Sequence, residues 1–193
     1  MARDHFTAAF DAMSEHEGRA QWSNRSDDPG GETYWGISRV WFPSAAIWPH
    51  VDDWSAGRIS ATIRDSLCEQ PVRQLYRQHF WDRFLGDQVA AESPAVAAEL
   101  LEAGVNLGVH RAVSFLQEAL NLQNRRGQVY PDLVVDGRLG QRTLNTLRRY
   151  LQTQPGSREA NEKILLNCMN GEQYIAYKNN PLAELNRGWF ARV

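Results

Sequence analysis

One stretch of this 193-residue chain concentrates the side chains that can do chemistry: His16-Glu17-Gly18, then Asp27-Asp28-Pro29-Gly30-Gly31-Glu32-Thr33-Tyr34-Trp35-Gly36-Ile37-Ser38. Phe6, Ala9, Phe10 and Met13 recur at helical spacing, so residues 3–17 read as an amphipathic helix that ends near Gly18. A carboxylate there faces the negative end of the helix dipole, which disfavours its ionised form. A carboxyl kept protonated suits the cleavage of a glycosidic bond, whose leaving oxygen needs a proton as an oxocarbenium-like transition state forms. Either Asp27 or Asp28 is placed to stabilise that positive charge or to position water. Spacing alone equally allows a solvated Glu17 followed by an ordinary tight turn at Asp28-Pro29-Gly30-Gly31.

The elements that must position these groups are mostly helical. Gln21 to Ser38, dense in Ser, Asn, Asp, Gly and Pro, reads as loop and turn. Residues 43–62, punctuated by Pro43, Pro49 and Gly57, suggest one-turn helices or a small irregular lobe. Residues 63–84 suit a helix interrupted near Pro71. A continuous stripe of Val96, Leu100, Leu101, Val105, Val109, Val113, Leu116 and Leu120 predicts one long central helix over 94–122. A polar loop follows over 124–137, with a short extended piece at Leu133-Val134-Val135 and a turn at Asp136-Gly137. Helices over 140–152, 157–180 (broken near Gly171) and 182–191 complete the chain. The fold class is all-α, or α with a minor β element.

Composition narrows the partners. A net charge of −2 lacks the basic excess of a protein held to nucleic acid or anionic lipid by charge. No apolar run is long enough to span a membrane, and the N-terminus lacks the apolar core of a signal peptide. The expectation is cytoplasmic synthesis without a signal peptide, so that any action outside the membrane needs release or export. Cys68 and Cys168 read as two reduced thiols, a disulfide between distant helices being the alternative. His5, His16, His50, His79 and His110 show no ligand spacing, so neither metal nor other cofactor is expected.

The whole string resembles the signature of glycoside hydrolase family 108: Glu-Gly-Gly-Tyr, a few polar residues, then Asp-Asp-Pro-Gly-Gly-x-Thr-x-x-Gly-Ile. The matching residues are Glu17, Gly18, Asp27, Asp28, Pro29, Gly30, Gly31, Thr33, Gly36 and Ile37. The likeness continues through Glu102-Ala103-Gly104-Val105-Asn106-Leu107-Gly108, Ala112, Leu116-Gln117, Val135-Asp136-Gly137-Arg138-Leu139-Gly140, Thr143-Leu144 and the terminal Gly188-Trp189-Phe190-Ala191-Arg192-Val193. Two features differ. Arg19 stands where the family has its second glycine, and the interval from Glu17 to Asp27 is about two residues longer. An arginine beside Glu17 would oppose its protonation unless it points away or meets Asp27 or Asp28.

The resemblance implies a lysozyme-like helical fold, with a catalytic segment over 1–90 and a helical peptidoglycan-binding segment over 91–193, packed as one unit. It implies a muramidase cleaving the β-1,4 bond between N-acetylmuramic acid and N-acetylglucosamine, as in phage endolysins and secretion-linked muramidases. A non-catalytic peptidoglycan-binding or secretion-assisting protein is the rival on the same fold. The family's catalytic glutamate falls on Glu17. Asp27 and Thr33, six residues apart as in phage-type lysozymes, form the preferred water-positioning pair, with Asp28 as competitor or substrate contact. The partner is the peptidoglycan glycan strand, met by a monomer. Trp22, Tyr34, Trp35, Trp41 and Trp48 are the aromatic candidates for the cleft wall, because rings pack against apolar sugar faces, although core packing explains any one of them as well. Asn106 is a further candidate contact. Glu102 reads as a solvated or paired helix residue, and Asp136-Gly137-Arg138 as a turn.

Overall fold

The computed structural model describes residues 4–16, 19–24 and 30–180. By its contacts the chain divides into two compact units, Met1–His79 and Phe80–Val193.

The first unit begins with α1 (His5–His16). Asp4 starts it by accepting the Thr7 N–H at 2.8 Å, a bond that holds the Asp4 carboxyl below its ordinary range. Phe6, Phe10 and Met13 are buried as their spacing predicts. Three short strands follow, β1 (Trp22–Asn24), β2 (Glu32–Tyr34) and β3 (Ile37–Ser38), in an antiparallel sheet of that order. The minor β element therefore lies inside 21–38, the stretch read as loop, while Leu133–Val135 is not a strand. Strands of three residues or fewer are too short for alternation to show against so much Gly, Asp and Ser. Next come α2 (Trp48–Ser55) and α3 (Ala61–Tyr76). α3 runs through Pro71 without a break, and the irregularity comes later, as a π-helical turn at Arg77–Trp81 and a 3₁₀ turn at Asp82–Phe84. Tyr34, Ile37, Ile47, Val51, Cys68, Val72 and Tyr76 join the α1 aromatics in this core. Tyr76 sets its ring edge-on to Phe10 at 5.2 Å.

The second unit packs α4 (Gly86–Glu92), α5 (Pro94–Leu107), α6 (Val109–Leu122), α7 (Gln141–Thr153) and α8 (Arg158–Lys178). Ser93 caps α5 by accepting the Val96 N–H at 3.0 Å, with Pro94 in the first turn, where its missing N–H costs nothing. The stripe predicted as one helix is two. Gly108, at φ 89°, ends α5 and starts α6, and the apolar residues keep their spacing on both sides because each helix buries its own face. α8 is unbroken at Gly171. Leu100, Leu101, Leu116, Leu120, Leu147 and Leu165 are all fully buried, each contributing about 2 kcal/mol of apolar burial. The 182–191 helix lies outside the described residues.

One buried amide explains the Leu116-Gln117 and Val135-to-Thr143 motifs together. Gln117 Oε1 accepts the N–H groups of Asp136 (3.1 Å) and Gly137 (2.9 Å), and its Nε2 donates to Asp136 Oδ1 at 2.9 Å. The same Nε2 lies 3.2 Å from the Arg138 carbonyl and 3.3 Å from Thr143 Oγ1. Asp136-Gly137-Arg138 is thus a turn, and the Gln117 bond holds the Asp136 carboxyl below its ordinary range. Gly137 sits at φ 63°, where an added Cβ would lie 2.6 Å from the His110 ring. Only glycine fits that turn. Both cysteines are free thiols, and burial pushes Cys68 up to about 11.

Candidate active site

The chemistry-bearing string follows α1 and enters the sheet. Glu17, Asp27 and Asp28 lie outside the described residues, and the groups that flank them in sequence are described. On the near side, the Arg19 N–H returns to the Ser14 carbonyl at 3.1 Å. The Arg19 guanidinium lies 3.4 Å from Glu15 Oε1 and 3.7 Å from Asp11 Oδ1. Asp11 is bound more closely by Arg73, at 2.6 Å. Arg19 is therefore engaged on the α1 surface by two carboxylates upstream of Glu17.

On the far side, the connection carrying Asp27 and Asp28 emerges from β1 and enters β2, closed by the Asn24–Glu32 pair. The sheet register pairs Ser23 with Thr33, and Thr33 with Ser38. Directly opposite residues project to the same face, so these three hydroxyls share one face of the sheet. Thr33 Oγ1 donates to the Gly31 carbonyl at 3.2 Å, and Ser38 Oγ donates to the Gly30 carbonyl at 2.6 Å. Two side chains thereby pin the end of the glycine-rich segment. Thr33 spends its proton inward and keeps lone pairs that can accept from water.

Trp22, Glu32 and Tyr34 occupy the opposite face. Tyr34 is wholly buried, with its hydroxyl donating to Asp65 Oδ1 at 2.8 Å. Burial and that carboxylate push its phenol well above the ordinary tyrosine range. This ring supports the sheet from below instead of offering a surface to sugar. The Arg64 guanidinium is sandwiched 4.7 Å from the Tyr34 ring and 4.1 Å from the Trp54 ring. Trp22 is 40% exposed; it lies edge-on to Trp54 at 5.4 Å and donates its Nε1–H to Glu32 Oε1 at 3.0 Å. Trp35 and Gly36 form the two-residue turn between β2 and β3 at φ 52° and 73°, the type I′ pattern. A tryptophan in that conformation costs about 1 kcal/mol. Its backbone is held on both sides: the N–H donates to the Gln21 carbonyl at 2.9 Å, and its carbonyl accepts the Tyr76 hydroxyl at 3.2 Å. Its indole nitrogen is buried without a hydrogen-bond partner among the described residues.

Trp48 is buried, donating to the Phe42 carbonyl at 2.6 Å, whereas Trp41 is 72% exposed. Asn106 lies on α5 in the second unit, its amide donating to the Glu102 carbonyl at 3.0 Å. Sequence reasoning passed over Glu32, Arg39 and Asp52. Arg39 meets Glu32 Oε2 at 2.7 Å and Asp52 Oδ1 at 2.5 Å, with its guanidinium 4.5 Å over the Trp48 ring. Glu32, with Trp22 on one oxygen and Arg39 on the other, ties β2 to α2. Its position is a variable one in the motif, so nothing in the string flagged it. Among the described residues no group of three or more His, Cys, Asp or Glu is arranged to hold a metal ion.

The model of the Glycosyl hydrolase 108 family matches residues 10–108, just over half of the chain, and a model described as Predicted Peptidoglycan domain matches residues 111–193. A solved structure of SagA from Brucella abortus is 21% identical, covers 99% of this chain and 90% of its own, and superposes with a TM-score of 0.63. At that identity the likeness establishes the fold, which is mainly helical and lysozyme-like. No curated protein matches the chain. The chain belongs to the glycosyl hydrolase 108 family, as a glycosidase acting on peptidoglycan.

Proposed function

We propose that this protein is an N-acetylmuramidase that hydrolyses the β-1,4 bond between N-acetylmuramic acid and N-acetylglucosamine, with Glu17 as general acid. The reading is carried by the family match over 10–108, the segment that contains Glu17, Asp27 and Thr33. Glu17 is the next residue in sequence after α1, and a carboxyl at a helix C-terminus is favoured in its protonated form. Arg19, engaged by Glu15 and Asp11, has carboxylate partners other than Glu17.

In the hydrolysis, Glu17 gives its proton to the glycosidic oxygen as the bond to the anomeric carbon breaks. A water attacks that carbon from the opposite face and loses its proton to Asp27, while Thr33 accepts a hydrogen bond that orients it. A water between acid and base means inversion, with the α-anomer of N-acetylmuramic acid released first. Asp28 shapes the loop and contacts substrate. Trp35 offers ring surface to the sugars, while Trp22 and Tyr34, on the sheet face opposite Thr33, act through the position of the sheet.

The Glu17→Gln variant tests the assignment of the acid. It keeps the fold by circular dichroism and loses at least about a hundredfold in muralytic rate, the low end of what a general acid contributes. A folded Glu17→Gln protein that clears peptidoglycan at the wild-type rate refutes the role of Glu17.

A further inference from the structure

A cavity of about 810 Å³ opens in the second unit between α6, the 124–132 loop and α8. Every residue lining it lies within the segment matched by the peptidoglycan domain. Its charged wall is Glu118 on α6, Glu172 on α8 and Asp132 on the loop, with Arg126 at one side and Leu122, 69% exposed, forming an apolar strip. Glu118, Glu172 and Arg126 have no hydrogen-bond or ion-pair partner among the described residues. Partial burial and the charge of Glu172 raise the pKa of Glu118, so the pair gains from a cation between them.

The two asparagines in the wall make it rigid. Asn121 exchanges two bonds with the Leu133 backbone, at 2.9 and 2.8 Å. Asn124 accepts the Gly127 N–H at 3.0 Å and donates to Asp132. The carboxylates are too dispersed to chelate one ion, since no group of three or more candidate ligands could hold a metal among the described residues. Dispersed carboxylates around an apolar strip, with one guanidinium, match an extended organic cation that also carries a carboxylate. Peptidoglycan contains such a group. Its stem peptide has a diamino acid whose side-chain ammonium, on an alkyl chain, is free until cross-linking turns it into an amide.

We propose that this cavity binds the uncross-linked peptide stem. Glu118 and Glu172 take the free ammonium, Asp132 adds negative charge on the loop side, Leu122 covers the alkyl chain and Arg126 pairs with a stem carboxylate. The inference rests on the reading that the chain acts on peptidoglycan, and it supplies a preference for regions of the wall not yet cross-linked.

The probe is the tripeptide L-alanyl-γ-D-glutamyl-L-lysine, titrated into the full chain by calorimetry and by amide chemical shifts, beside the same peptide acetylated on its side-chain nitrogen. The free peptide is expected to shift amides of 118–132 and 168–176, and acetylation to weaken binding at least about tenfold, as for loss of a charge-assisted hydrogen bond. The double variant Glu118→Gln, Glu172→Gln should lose the discrimination between the two peptides. Equal affinity of the two peptides for the wild type, shifts confined to other residues, or calcium ion alone filling the cavity and displacing the peptide would each overturn the proposal. The acetylation arm needs no variant, so a misfolded double mutant leaves the test intact. Wild-type cleavage of peptide-free glycan strands is assayed in parallel. Cleavage without ammonium-dependent binding rejects this inference alone, and binding without cleavage rejects the muramidase alone.

Discussion

In the first unit the glycine-rich loop is held at its end by hydroxyls, Thr33 and Ser38, which reach back to the carbonyls of Gly31 and Gly30. In the second, the connection between α6 and α7 is held by long amides rising from α6, Gln117, Asn121 and Asn124, the last just past its end. Both devices satisfy backbone groups that a loop would otherwise leave to water. They differ in what they leave over. A hydroxyl that donates once still has lone pairs for a water, whereas the Gln117 amide, accepting two backbone N–H groups and donating to Asp136, Arg138 and Thr143, is used up. Motif residues of the first loop can therefore serve chemistry, and those of the second serve architecture, although both appear in the sequence as equally marked strings.

The largest effects that sharpen this contrast are on turnover. Asp27→Ala is expected to lower turnover about a hundredfold, as for loss of a general base, and Thr33→Ala about tenfold, as for loss of one hydrogen bond to the water. Affinity for glycan fragments should change little in either, which steady-state kinetics separates. Asp28→Ala should instead lower the melting temperature. If Thr33→Ala melts early with normal turnover, its hydroxyl is architectural, like Gln117, and the contrast fails.

Next comes a purely structural effect in the second unit. Gly137→Ala forces a left-handed alanine against the His110 ring and should cost about 2 kcal/mol or more in chemical unfolding. Its turnover per folded molecule should match the wild type; a selective loss of turnover would give that turn a functional role.

The smallest effect is a pH dependence on α5. Burial pushes Glu99 up to about 7, against the hydrogen bond from Gln173. Its folded pKa lies above its unfolded one, so between about pH 4.5 and 7 the native state holds more of the proton, and stability falls as pH rises through that window. Glu99→Gln should flatten this slope and stabilise the protein at pH 8 by on the order of 1 kcal/mol. An unchanged slope in urea unfolding between pH 5 and 8 would contradict it.

Helices were legible where an amphipathic face repeats over several turns, as in α1, α6 and α7. The break at Gly108 was not, because the apolar period is the same on either side of it. The sheet was illegible for the opposite reason: its strands are fixed by the Trp35-Gly36 turn and by Tyr34 reaching Asp65, a long-range contact that local composition does not encode. Thr33 was singled out by the spacing of a motif, and its role stays with the proposed reaction. Glu32 and Arg39 were not, since their importance comes from Asp52 and Trp22 being brought to them by the fold.

The central claim is most directly tested by mass spectrometry of the fragments released from purified peptidoglycan, with the reducing end of each fragment identified after borohydride reduction. The muramidase reading predicts reduced N-acetylmuramic acid at the new ends, absent from digests with Glu17→Gln. New ends of reduced N-acetylglucosamine, or of the non-reducible 1,6-anhydro sugar, would contradict it.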